Sequence, residues 1–134
     1  LVKAFNFNNR SILGSILFAP YTVDTTTGVI SIPNLTPAFD IKNVPGATHV
    51  EIFGAFGAIN FDSGTGDIQF TNIVNLPIDN VTSPVTLTPV ALPTTVGTNF
   101  FLLEVIYYQK VNGSQYILNN GAFNALSVID LITP

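Results

Sequence analysis

Nine prolines and ten glycines interrupt this chain of 134 residues, and no stretch between them runs beyond 15 residues. The segments between them are rich in Val, Ile, Phe, Tyr and Thr. Proline removes a helical hydrogen bond and glycine weakens a helix. β-Branched and aromatic side chains suit a pleated, half-buried surface. This cadence predicts an all-β chain. The expected form is a single antiparallel β-sandwich over residues 1–134, Ig-like or jelly-roll-like, with about 8–10 strands. Strands are expected near 2–8, 11–19, 28–32, 48–61 (broken around Gly54 and Gly57), 67–73, 84–91, 99–111, 114–119 and 121–132. Ile12, Leu13, Ile16 and Leu17 also fit one face of a short helix begun by Ser11. Segments 34–41 and 74–82 read as loops built around prolines.

Alternation separates two kinds of strand. Ile30 and Ile32 flank Ser31; Val50 and Ile52 alternate with His49 and Glu51; Val85 and Leu87 alternate with Thr86 and Thr88. Such strands show one face to a core and one to water. Residues 99–111, NFFLLEVIYYQKV, differ. Phe101, Leu103, Val105 and Tyr107 share one face, and Phe100, Leu102, Ile106 and Tyr108 share the other around Glu104. The segment AFNALSVIDLI is likewise apolar on both faces. One sandwich covers only one face of each sheet, so a loop, a curled edge or a neighbouring molecule is expected to cover the other.

Only 9% of residues are charged, against about 25% in ordinary domains. The net charge of −4 disfavours a phosphate-tracking surface, so nucleic acid is not an expected partner. No cysteine is present, which removes disulfides and thiolate chemistry. The longest uncharged run, 80–103, carries three prolines and does not read as a membrane-spanning helix. Without an initiating Met or a leader pattern, a mature chain or an excised domain is expected. N-x-S/T triplets begin at Asn9, Asn34, Asn80 and Asn112; in a chain this rich in Asn and Thr, chance accounts for them.

Asp62-Ser63-Gly64-Thr65 resembles the D-[ST]-G-[ST] loop of pepsin-like and retroviral aspartic proteases, which implies Asp62 as a catalytic carboxylate. In that family a second aspartate must share the proton, here from another copy. Gly66 departs from the loop's pattern, and no apolar-apolar-Gly motif follows downstream. An internal echo supports a turn instead. Residues 24–32, DTTTGVISI, and 62–70, DSGTGDIQF, follow one formula. The leading Asp is expected to accept backbone N–H bonds, and the Gly in fifth place to take positive φ. Asn112-Gly113 signals a third hairpin. Asp62 and Asp67, with Ser63 and Thr65, are the only candidates for a cation site, and they lack the carboxylates of a calcium loop. No catalytic residue and no cofactor are expected. His49 is the only histidine, and Glu51 and Glu104 are the only glutamates. Glu104, alone on an apolar face, marks an interface edge or a charge set against mispairing.

Residues 104–129 carry an apolar-Tyr-Tyr-Gln strand, a Val-Asn-Gly turn and an Asn-Gly-Ala-Phe-Asn-Ala-Leu strand. The stretch resembles the last hairpins of uncharacterised β-rich bacterial proteins, which implies a bacterial β-domain and no particular activity.

Low charge combined with two-sided apolar strands predicts a structural, self-associating β-domain: a homo-oligomer or polymer, the subunit of an extracellular filament, fibre or cell-surface layer. The expected interaction residues are Phe5, Phe7, Phe100, Leu102, Ile106 and Tyr108. The segment VKAFNFNN is expected to add to a neighbour's sheet edge. The alternative is a carbohydrate-binding or adhesive module with a glycan partner, using Tyr21, Tyr107, Tyr108 or Tyr116. The remote alternative is an aspartic-type protease using Asp62.

Overall fold

Two long strands, β4 (His49–Asn60) and β8 (Thr98–Val111), pair antiparallel along nearly their whole length and form the spine of the molecule. The computed structural model describes residues 5–6, 13–118 and 124–133. Each spine strand meets two short strands in succession on its outer edge. β6 (Val74–Pro77) and then β5 (Thr65–Phe70) flank β4, while β9 (Ser114–Ile117) and β10 (Ala125–Ile132) flank β8. β1 (Phe5–Asn6) adds to β10 and completes a seven-stranded sheet. This larger sheet curls into a half-barrel. A second sheet of β2 (Thr22–Val23), β3 (Ile30–Leu35) and β7 (Ser83–Leu87) contributes to the same core.

Where an edge partner changes, a side chain takes up the backbone group left over, as a buried amide requires. At Gly54, between β6 and β5, the amide donates to Thr71 Oγ1 at 2.8 Å, and Thr71 N–H returns a bond to Gly54 O at 3.0 Å. At Tyr107, between β10 and β9, the amide donates to Asn124 Oδ1 at 2.9 Å. Asn72 ties the two sheets together: its amide donates to Thr86 O, and its Oδ1 accepts from Thr88 N–H.

The core lies between the sheets. Val50, Ile52 and Phe56 of β4 and Phe101, Leu103, Val105 and Tyr107 of β8 meet Ile30, Ile32 and Leu35 of β3 and Val85 and Leu87 of β7. Alternation along β3 slips between Ile32 and Leu35, which lets all three apolar side chains point inward. In β10 a bulge inserts Ile129 between Val128 and Asp130. That extra residue explains how Ile129 reaches the core while Val128 and Leu131 sit opposite Leu102 and Phe100 on the other face.

Several expectations are corrected. The strand expected at 11–19 is, in its described part, the helical turn α1 (Leu13–Ile16). Leu13 and Ile16, three apart, are both buried, the spacing of a helix face. The glycines do not break β4. The Ile30 side chain lies over Gly54 and the Phe100 ring covers Gly57, so neighbours occupy the space that a Cβ would need. The loop expected at 74–82 begins with β6, in which Val74 and Leu76 are half-buried and Asn75 and Pro77 exposed. Pro77 sits on the last residue of an edge strand, where its missing N–H costs no ladder bond. β2 is unforeseen, and the segment at 34–41 holds the turn α2 (Pro37–Asp40), with Asp40 Oδ2 accepting from Thr36 N–H at 2.7 Å. Of the strand expected at 2–8, only Phe5–Asn6 is described.

The turn formula recurs in a shifted form. Asp24 Oδ1 accepts from Thr26 and Thr27 N–H, and Gly28 has φ +78°, as expected. In the second copy Asn60, not Asp62, accepts from the amides two and three residues on. Gly64, not Gly66, takes positive φ, at +71°. Both turns close with the Gly N–H on the carbonyl four residues earlier, Gly28 to Asp24 at 2.7 Å and Gly64 to Asn60 at 2.9 Å. The shared unit is therefore Asx-x-x-x-Gly. Asn112 and Gly113 both have positive φ, as the Asn-Gly signal predicts.

Tyr107 is fully buried and its hydroxyl donates to Lys42 O at 2.8 Å. Burial pushes its pKa well above the ordinary 10.0. An unfolded Tyr107 ionises near that ordinary value and the folded one does not, so its contribution is complete below about pH 10 and is lost as pH rises further. Urea titrations at alkaline pH are expected to show stability falling above about pH 10, with a shallower fall in Tyr107→Phe. Tyr21 and Tyr108, also raised by burial, keep that slope from vanishing.

Candidate functional site: the outer face of the large sheet

Register places the residues turned away from the core. On β4 these are His49, Glu51, Phe53, Ala55, Gly57 and Ile59; opposite them on β8 stand Tyr108, Ile106, Glu104, Leu102, Phe100 and Thr98. The flanking strands add Phe70 beside Ala55, Ile68 beside Gly57, Leu126 beside Glu104 and Val128 beside Leu102. One half of this face is apolar: Phe53, Ile68, Phe70, Phe100, Leu102, Leu126 and Leu131 are half-buried or exposed, with Phe70 52% exposed. Beside Phe100 an open recess of about 250 Å³ is lined by Ala58, Ile59, Gly66, Asp67, Ile68 and Phe100.

The other half is polar and trough-like. β6 and β9 are separated by β4 and β8, which in a flat sheet would put them about 14 Å apart. The amides of Asn75 and Gln115 nevertheless pair reciprocally, at 2.8 and 3.2 Å. This end of the sheet therefore bends toward its outer side, and the amide pair spans Glu51, Ile106 and Tyr108. The Tyr108 hydroxyl donates a long bond, 3.5 Å, to Glu51 Oε1. His49 Nδ1 pairs with Thr48 Oγ1 at 2.9 Å.

Both glutamates of the chain thus stand on this face. Glu51 lies opposite Ile106 and Glu104 opposite Phe53, which makes the carboxylates diagonal neighbours. Burial raises the Glu104 pKa above its ordinary 4.5, and the charge of Glu51 raises it further. Tyr108 is raised by burial first and then by Glu51.

Of the expected interaction residues, Phe100, Leu102, Ile106 and Tyr108 share this face along β8. Phe5 pairs through its backbone with Val128, and Phe7 lies outside the described residues. Phe53, Phe70 and Leu126, not singled out from the sequence, complete the apolar half. Their signal was faint: each sits in a separate strand, and only pairing brings them together.

Asp62 lies away from this face, and Asp67 stands at its margin, on the rim of the recess beside Phe100. Asp62 lines an open recess of about 270 Å³ with Ile59, Asn60, Phe61, Val96, Gly97 and Thr98, and no second carboxylate lines it. Asp67 accepts from Thr94 N–H at 2.9 Å and from the Gln69 amide, bonds that tie the loop before β8 to β5. The Thr94 amide foremost, then Gln69, hold its carboxyl below the usual range. No group of three or more His, Cys, Asp or Glu able to hold a metal occurs among the described residues, and no helix among them is long and apolar enough to cross a membrane. Comparison of the chain with family models, curated proteins and solved structures finds no match.

Proposed function

We propose that this β-rich chain is a structural module that self-associates through the outer face of its large sheet, as the subunit of an extracellular or cell-surface filament, fibre or layer of bacterial origin. The finer description of the fold, an Ig-like or jelly-roll-like sandwich, belongs to the same proposal. The observation that carries it is the apolar half of that face, drawn from β4, β5, β8 and β10. Ordinary monomers scatter their exposed apolar residues, and a contiguous patch marks an interaction surface. The residues here are contiguous in register, and the chain as a whole is poor in charge, as the cores of permanent interfaces are.

Sedimentation measurements over a range of concentration and pH test this reading. The mass is expected to rise with concentration, and Phe70→Ser, at an exposed position on the sheet edge, is expected to weaken association by about tenfold. A protein that stays monomeric at high concentration at every pH would end this reading.

The carbohydrate-binding alternative draws on one observation, the Asn75–Gln115 amide pair beside Tyr108 in the trough. Tyr107 is buried and unavailable to a sugar. Retention on an immobilised glycan panel by a strict monomer would favour it over assembly.

A further inference from the structure

We propose that the outer face pairs with the same face of a second copy about a twofold axis, and that protonation of the Glu51–Glu104 pair gates this pairing. The inference rests on the self-association reading and adds its geometry and its control.

Size and shape support a second copy as the occupant. Four strands, β10-β8-β4-β5, lie side by side over residues 98–102 of β8, and three, β10-β8-β4, over 103–105, a footprint of about 500 Å² per copy. Two such faces come to about 1,000 Å², the size of a weak and reversible contact. A twofold contact also needs knob and hole on one patch. This face carries both: the exposed Phe70 ring and the recess beside Phe100.

Charge supplies the control. Glu104 sits within the apolar half, between Phe53 on β4 and Leu126 on β10. Its titratable neighbours on this face are few. β4 offers Glu51 diagonally and His49 beyond it; β8 offers Tyr108 and, six residues along, the exposed Lys110. β6, β9 and β10 place no ionisable side chain on this side among the described residues, and β5 brings only Asp67, at the rim of the recess beside Phe100 and held by Thr94 and Gln69. Among the described residues no cation stands next to the carboxylate pair. Stacking two faces would bury four carboxylates without a counter-charge, a heavy cost while they are ionised. Protonated carboxyls remove that cost and can donate hydrogen bonds. Burial in the dimer raises the Glu104 pKa further, so association takes up protons and strengthens as pH falls.

Sedimentation equilibrium of the full chain at about pH 5 and about pH 8 tests this. Wild type is expected to dimerise at least about tenfold more tightly at the lower pH, one pH unit per proton being worth that factor. Glu104→Gln is expected to dimerise more tightly than wild type at about pH 8 and to show a smaller difference between the two pH values. Asp62→Asn removes the same charge from a distant loop and is expected to follow wild type, which separates gating from loss of net charge. Association independent of pH, or an equal response of Glu104→Gln and Asp62→Asn, overturns the gate and leaves self-association standing. If every form stays monomeric, both readings fall. If a lysine-rich peptide then binds wild type and not Glu104→Gln, the face belongs to a basic partner.

Discussion

Phe101→Ala is expected to cost about 3–5 kcal/mol, the range for truncating a buried aromatic. Phe101 is fully buried in the middle of β8, and its ring meets Phe56 of β4 with centroids 4.6 Å apart and planes tilted by 32°. β8 pairs with β4, β9 and β10 at once, so a cavity here lies against the spine of the molecule and the sheet cannot close over it without bending. A domain is stable by only about 5–15 kcal/mol, so the variant loses a large share of its margin. Urea unfolding provides the measurement, with Phe100→Ala as its internal comparison. Phe100 is the adjacent residue, but it points to the outer face and remains partly solvated. It is expected to lose clearly less stability. Equal losses at the two positions would contradict the assignment of faces on which the self-association proposal depends.

Gly28→Ala is expected to cost about 2–5 kcal/mol, from two sources that Gly64→Ala separates. Both glycines have positive φ, and a Cβ in that conformation costs about 1–2 kcal/mol. At Gly64 nothing lies within 4 Å of the added atom, so the backbone term stands alone. At Gly28 the new Cβ would collide with Phe56 Cδ2 and Cβ. Phe56 is 4% exposed and stacks on Phe101, so it cannot step aside without disturbing the core, and overpacking of this kind adds about 1–3 kcal/mol. Denaturation midpoints for the two variants should differ accordingly, with Gly64→Ala losing about 1 kcal/mol. Identical midpoints would show that the first turn does not press on the core.

The pair of turns also shows how far pattern reading reaches. The formula shared by residues 24–32 and 62–70 led to turns in both places, and both exist. Its register held in one copy and moved by two residues in the other. Asn60 can accept the same backbone bonds as an aspartate, and pairing of Asn60 with Thr65 in the β4–β5 ladder closes the loop before Asp62 can lead it. The letters that resemble a protease loop therefore straddle a turn and the first residue of a strand.

Within β8, which carries no bulge, alternation was sufficient. It sorted Phe101, Leu103, Val105 and Tyr107 from Phe100, Leu102, Ile106 and Tyr108, and it marked β8 as apolar on both sides, because successive side chains of an extended chain point in opposite directions. The Asn112-Gly113 turn was equally plain, since its backbone conformation depends on two adjacent residues. What alternation cannot carry is the choice of neighbour and the offset between strands. Those choices set Glu51 diagonal to Glu104, gathered Phe53, Phe70 and Leu126 onto one surface, and let the extra residue Ile129 move Leu131 outward. Each depends on contacts between residues tens of positions apart, where packing of the whole core outweighs local preference.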